Sequence, residues 1–334
     1  MRAASRWPCR RPLAPAVAAE SAPDVPQRLA DWLAAGNGPL DWLREGACWP
    51  NRGASRFVEA GGLRWHVQCL GPAQAPACIL LLHGTGASSH SWRDLAPRLA
   101  AECRVIAPDL PGHGFSGTAG RSVFSVPGMA QALAALLQAL GASPTLICGH
   151  SAGAALGARL CLDAGARPAS LVGINGAWLP FGGLAGRVFS PAARLLAASG
   201  VAASLIARRA SDPALARRLL AGTGSHLDTV GAALYARLMR SPAHVAGALA
   251  MMANWDLAPL LAALPRLTPR LLLLAGAADA TVSPAQSARV AQAVAGSRLE
   301  ILPGLGHLAH EEAPERFASR LLAAARDAQP SGHG

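Results

Sequence analysis

Six short apolar runs, at residues 77–82, 104–107, 145–148, 170–174, 270–275 and 299–302, are interleaved with segments of helical character, and this alternation restricts the fold more than any other feature. The runs are almost continuously apolar, as strands covered on both faces are. Helices are predicted over 92–101, 127–140, 152–164, 284–295 and 314–326. Strand and helix in turn specify an α/β fold with a mostly parallel, doubly wound sheet. Upstream, residues 56–59 and 63–68 alternate around Gly61 and Gly62, which predicts an N-terminal β-hairpin. From about 175 to 255 the alternation stops and the chain reads as helical, with breaks at Pro191, Gly200, Pro213, Gly222, Gly224 and Pro242. A helical cap inserted between two strands accounts for that pattern. The expected organisation is an N-terminal tail over 1–50, partly disordered, a first core segment over 51–175, a cap over 176–256, a second core segment over 257–328 and a disordered tail over 329–334.

Reactive groups in doubly wound sheets gather at the carboxyl ends of the strands. Five of the ends carry them. The run ending at Leu82 leads into His83-Gly84-Thr85-Gly86, and the next into Asp109-Leu110-Pro111-Gly112-His113-Gly114. The third leads into Gly149-His150-Ser151-Ala152-Gly153, a Gly-x-Ser-x-Gly pattern between an apolar run and an alanine-rich helix. Glycines two residues to either side of a serine let strand and helix backbones close on each other around an exposed hydroxyl. The last two ends supply Asp279 and His307, so the chain order is Ser151, Asp279, His307.

That order and those five points resemble the α/β-hydrolase superfamily over about residues 55–327. The resemblance implies a serine nucleophile at Ser151, a general base at His307 and an orienting acid at Asp279. It implies an oxyanion hole made by the backbone N–H groups of Thr85 and Ala152. His83 and His113 are expected near the pocket, stiffening their loops through backbone hydrogen bonds. Serine at the elbow separates the chain from branches built on an aspartate nucleophile. More narrowly, the stretches Asp41-Trp42, Trp49-Pro50-Asn51-Arg52, 55–58, 61–68, 83–88, His90-Ser91-Trp92-Arg93-Asp94-Leu95 and 109–115 resemble the BchO group. These are α/β-hydrolase-like proteins of photosynthetic bacteria, named as magnesium-chelatase accessory proteins of bacteriochlorophyll synthesis. The resemblance implies a pathway, with magnesium-chelatase subunits as partners, rather than a reaction.

Other chemistries fit poorly. His307 and His310 precede Glu311 and Glu312 but lack the His-Glu-x-x-His spacing of a zinc site, and no metal is expected. Gly304-Leu305-Gly306-His307-Leu308-Ala309 mimics a dinucleotide fingerprint without a following βαβ unit, and no cofactor is expected. The net charge of +11 comes from arginine alone, dispersed along a chain only 4% aromatic, so a nucleic-acid platform is not expected. Seven cysteines without a Cys-x-x-Cys pair suit reduced thiols and a cytoplasmic protein. The first 25 residues read as a disordered tail or as sequence upstream of the true start, and the weakly polar stretch 195–207 is shorter than a membrane span.

Residues 177–255 hold eight arginines (Arg187, Arg194, Arg208, Arg209, Arg217, Arg218, Arg237 and Arg240) against two acids, Asp212 and Asp228. Set among leucine, alanine and valine, they suit a large apolar ligand with carboxylates, such as a porphyrin bearing propionates, or an anionic membrane surface. An ordinary solvated face accounts for them equally well. Two functions stay open. One is a serine hydrolase cleaving an ester or related acyl bond of a hydrophobic substrate, tetrapyrroles included. The other is a non-catalytic magnesium-chelatase accessory or tetrapyrrole-binding protein. Peripheral membrane contact is compatible with both.

Overall fold

A computed structural model of the chain describes residues 38–180, 200–210 and 212–327. The expected tails over 1–37 and 329–334, the break at Pro191, and Arg187 and Arg194 lie outside the described residues.

Eight strands form one sheet: β1 (Ser55–Ala60), β2 (Leu63–Leu70), β3 (Cys78–Leu82), β4 (Arg104–Pro108), β5 (Leu146–His150), β6 (Ser170–Ile174), β7 (Arg270–Gly276) and β8 (Arg298–Leu302). Their order is β1-β2-β4-β3-β5-β6-β7-β8. The hairpin β1–β2 turns at Gly61 and Gly62, whose φ values of 59° and 73° suit glycine at a tight two-residue turn. β2 pairs antiparallel with β4, and every later pairing is parallel.

The apolar runs are continuous because both faces of the sheet are covered. Leu80, Leu82, Ile106, Ile147 and Leu171 pack on one side, against Leu133 and Leu136 of α2 (Val126–Ala139) and Leu156 of α3 (Ala152–Asp163). Their strand neighbours Ile79, Leu81, Val105, Cys148 and Val172 pack on the other side, against Leu95 and Leu99 of α1 (Leu95–Ala100) and Phe317 and Leu321 near the C-terminus. Each such fully buried leucine or isoleucine contributes roughly 1.5–3 kcal/mol of transfer free energy. The expected helix over 92–101 is shorter, because Ser89–Trp92 form a separate 3-10 turn before α1.

Between β6 and β7 the described chain is helical: α4 (Gly200–Arg209), α5 (Pro213–Ala221), α6 (Thr229–Met239), α7 (Pro242–Ala253) and α8 (Ala258–Ala263). Pro213 and Pro242 each stand at the first position of a helix, so the helical chain breaks just before them, as expected. Asp212 and Ser241 cap those two helices by accepting from Ala214 N–H and His244 N–H. Asp228 caps α6 in the same way through Gly231 N–H. Two further helices, α9 (Pro284–Ala293) and α10 (Pro314–Asp327), complete the core. Residues 38–50 lie against the cap: Trp49 packs on Leu234 and Leu238 of α6, and Glu45 forms a buried ion pair with Arg237.

Candidate active site

β4 and β5 flank β3 on opposite sides, so the chain reverses direction across the sheet there and the loops leaving β3 and β5 meet at its carboxyl edge. Ser151 stands where β5 passes into α3, with φ 52° and ψ −119°. A non-glycine residue in that region carries strain of order 1–3 kcal/mol, which the surroundings must hold. Ser151 N–H donates to Ile174 O, and its carbonyl accepts from Ala154 N–H and Ala177 N–H, fixing the turn from three directions.

The flanking glycines are required by contact. A Cβ on Gly149 would lie 2.2 Å from Gly153 O, and one on Gly153 would lie 2.1 Å from Leu82 O. Gly84 presses on the same turn: its Cβ would come within 3.0 Å of both Ser151 Cβ and His150 Nδ1. Thr85 is the next residue of that loop. Ala152 is the first residue of α3, and its N–H precedes the first bond within that helix. A small anionic oxygen beside Ser151 would be met by the positive end of a helix and a tight loop.

His307 Nδ1–H donates to Asp279 Oδ2 at 2.8 Å, which leaves Nε2 as the ring nitrogen not taken by the carboxylate. Both side chains are nearly buried. Asp279 Oδ1 accepts from the Thr281 and Val282 amides at 2.8 Å each, so one oxygen closes its own turn while the other faces the histidine. His150, beside Ser151, donates from Nε2 to His307 O at 2.9 Å, and the two rings are 4.7 Å apart. Burial, reinforced by the imidazoles of His310 and His307, drives His150 well below the ordinary histidine range and keeps it neutral.

The loop histidines are held by backbone. His83 Nδ1–H donates to Gly84 O and its Nε2 accepts from Leu110 N–H, while His113 Nδ1–H donates to Pro111 O. Burial lowers the basicity of both. Asp109 is buried too, which alone would raise its pKa. His66 Nδ1–H at 2.8 Å and the amides of Phe115 and Ser89 outweigh that and hold it well below the usual carboxylate range. This carboxylate organises the β4 loop and is turned toward β2, not toward Ser151. Among the described residues no group of three or more His, Cys, Asp or Glu side chains has the arrangement of a metal site.

A strained serine at a strand–helix turn beside a glycine loop, and a histidine–aspartate pair following β8 and β7, stand past the carboxyl ends of strands of one sheet. A family model described as alpha/beta hydrolase fold matches residues 78–314. The chain belongs to the α/β-hydrolase family. This α/β-hydrolase-fold protein is 42% identical to the Magnesium-chelatase 30 kDa subunit of Rhodobacter capsulatus, over 83% of its own length and 96% of the relative's. Among solved structures it superposes on an alpha/beta hydrolase fold protein from Burkholderia ambifaria with TM-score 0.68 at 24% identity, covering 86% of this chain and 99% of the other. It also superposes on a thermophilic esterase from Thermogutta terrifontis with TM-score 0.64 at 23% identity, covering 83% and 99%. At those identities the structures attest the fold.

Three contributors to this α/β-hydrolase site carry no motif in the sequence. Asn175, buried at the end of β6 with φ 47°, donates from Nδ2 to Gly306 O and His307 O at 2.9 and 2.7 Å, and accepts from Gly276 N–H at 2.7 Å. The cap turn after α5 reaches the same loops: Thr223 O accepts from His307 N–H and Ala280 N–H, and Ser225 Oγ accepts from Leu308 N–H. His244 of α7 accepts from Gly114 N–H at Nδ1 and donates from Nε2 to Gly86 O, joining the cap to two strand-end loops. The one available signal was a left-handed asparagine at a strand end, which a sequence alone does not reveal.

Proposed function

We propose that this protein is a serine hydrolase acting on an ester or related acyl bond of a hydrophobic substrate, with a tetrapyrrole as the favoured class. The hydrogen bond between His307 Nδ1 and Asp279 Oδ2 carries the reading, because it fixes the tautomer in which Nε2 is the base. In that reaction Ser151 Oγ attacks the carbonyl carbon as His307 Nε2 takes its proton, and Asp279 stabilises the imidazolium. The oxyanion is held by the N–H groups of Thr85 and Ala152. Collapse expels the alcohol, which His307 protonates. Water, deprotonated by the same histidine, then releases the acid and restores Ser151. His83, His113, His150, Gly84, Gly149 and Gly153 shape the walls and take no proton in the cycle. The tetrapyrrole assignment rests on the resemblance to a bacteriochlorophyll-synthesis group.

A fluorophosphonate label tests the chemistry: a covalent adduct on Ser151, absent in Ser151→Ala and weak in His307→Ala, is expected. Folded protein that takes no label and hydrolyses no short acyl ester would overturn the proposal. The second reading is a non-catalytic accessory that associates with magnesium-chelatase subunits, and it is favoured by the relative named as a chelatase subunit. Complementation of pigment synthesis by Ser151→Ala as fully as by wild type would select it.

A further inference from the structure

Seven large apolar side chains are notably exposed among the described residues, and five of them sit on the cap: Val201, Leu205, Ile206, Leu219 and Met252. Their placement is systematic. On α4 the residues Ala203 and Ala207 face inward and pack against Val245, Ala246 and Leu249 of α7. The outward side of the same helix carries Val201 and Leu205, 68% and 57% exposed, with Arg208 and Arg209 in its last turn. The next helix in the chain, α5, exposes Leu219 at 52%, flanked in sequence by Arg217 and Arg218. Asp212, between the two helices, is the one acid in this described stretch, and it already meets Arg218. Branched apolar side chains ringed by arginines match the interfacial zone of an anionic bilayer, where the apolar groups enter the headgroup boundary and each guanidinium meets lipid phosphate.

α7 ties this surface to the chemistry. Its Met251 is fully buried and receives a hydrogen bond from Thr85 Oγ1 at 3.4 Å, while the next residue, Met252, is 40% exposed. α4 packs on α7 and α7 meets Thr85, so two helices stand between the exposed face of α4 and the candidate oxyanion loop.

We propose that the outer face of α4 docks this protein on anionic lipid. Among the described residues no single helix is long and apolar enough to cross a membrane. The contact does not require the hydrolytic reading, since it uses no residue of the Ser151 site, and Ser151→Ala protein should bind lipid as wild type does.

The test is flotation of the purified full chain with vesicles of phosphatidylcholine alone and of phosphatidylcholine with phosphatidylglycerol, at low and high salt. The expected result is binding to the anionic vesicles that weakens with salt and falls about tenfold in Leu205→Asp. Arg208→Gln with Arg209→Gln should lower anionic binding to a similar extent without changing the thermal melt, a check independent of the apolar substitution. Equal flotation of wild type and both variants, or none by wild type, would overturn the proposal. So would Leu205→Asp releasing a magnesium-chelatase subunit in pull-down while vesicle binding is unchanged, which would make this face a protein interface.

Discussion

Asn175 Nδ2 and the carbonyl of His307 are 2.7 Å apart, so the residue that ends β6 holds the backbone of the histidine at the end of β8. The strand between them, β7, is bound by the same side chain through Gly276 N–H. Asn175→Ala removes three buried hydrogen bonds, each costing about 1–3 kcal/mol when its partner is stranded. Hydrolysis of a p-nitrophenyl ester should fall by about tenfold or more in kcat with KM little changed, because the base loses its seat and the binding walls do not. Steady-state kinetics beside a thermal melt separate this from simple unfolding.

Asp279→Asn should leave the turn intact, since Oδ1 still accepts from the Thr281 and Val282 amides. The amide cannot accept His307 Nδ1–H and stabilise an imidazolium as the carboxylate does. A loss of about 10⁴-fold in kcat is expected with a melt close to wild type. Kinetics that barely change would remove Asp279 from the reaction.

Gly153→Ala should be poorly tolerated. The added methyl meets Leu82 O at 2.1 Å and His83 O at 2.7 Å, both backbone atoms that cannot step aside. The penalty is expected to exceed about 3 kcal/mol, read from urea denaturation or from loss of soluble protein.

Acid should destabilise the fold through its buried histidines, offset in part by Glu311, whose carboxyl burial pushes up to about 7. Burial lowers the pKa of His83, His90, His113, His150, His244 and His310, with His244 brought to about 4 and His310 to about 3. Between those values and the ordinary 6.5 of an unfolded histidine, the unfolded chain binds more protons than the folded one. The stabilisation is complete above pH ~6.5 and is lost as pH falls toward the folded values, about 1 kcal/mol per histidine over the first pH unit. Urea titrations at pH 7 and 5.5 should show it, with His244→Gln flattening the slope.

Arg93 makes ion pairs with Glu311, Asp228 and Asp94, and Tyr235 donates to the same Glu311 at 2.7 Å, joining the cap to the core. Arg93→Ala leaves the buried Glu311 without its counter-charge and should cost about 3–5 kcal/mol. Tyr235→Phe removes one hydrogen bond and should cost about 1 kcal/mol. Chemical denaturation of both variants checks the ratio.

The parts of this molecule written locally could be read from the chain. Apolar runs such as Ile79–Leu82 announce strands buried on both faces, and Gly149 and Gly153 mark a turn that admits no side chain. What stayed hidden depends on distant partners. Asn175 gains meaning only from Gly306 and His307, more than 130 residues on, and Glu45 only from Arg237, 192 residues away. Trp42 and Trp49, read within a tail, pack on Phe115. No periodicity connects such pairs. Pro213 and Pro242 were legible for a local reason: each opens a helix behind a capping Asp212 or Ser241, and the helical chain breaks just before it.

The turn Thr223-Gly224-Ser225 bears on how such a chain can diversify. Gly224 lies so close to the strand-end loops that a Cβ on it would sit 2.1 Å from Ala278 O, and Gly306 in turn has no room beyond Gly224. The insertion is thus grafted onto the core at its inner turn and free at its outer helices. Descendants of this sequence can exchange α4 or lengthen α5 to meet new surroundings, but a change of length between Thr223 and Ser225 displaces His307 and Asp279 together. Selection on the ligand and selection on the chemistry act on different ends of the same helical segment.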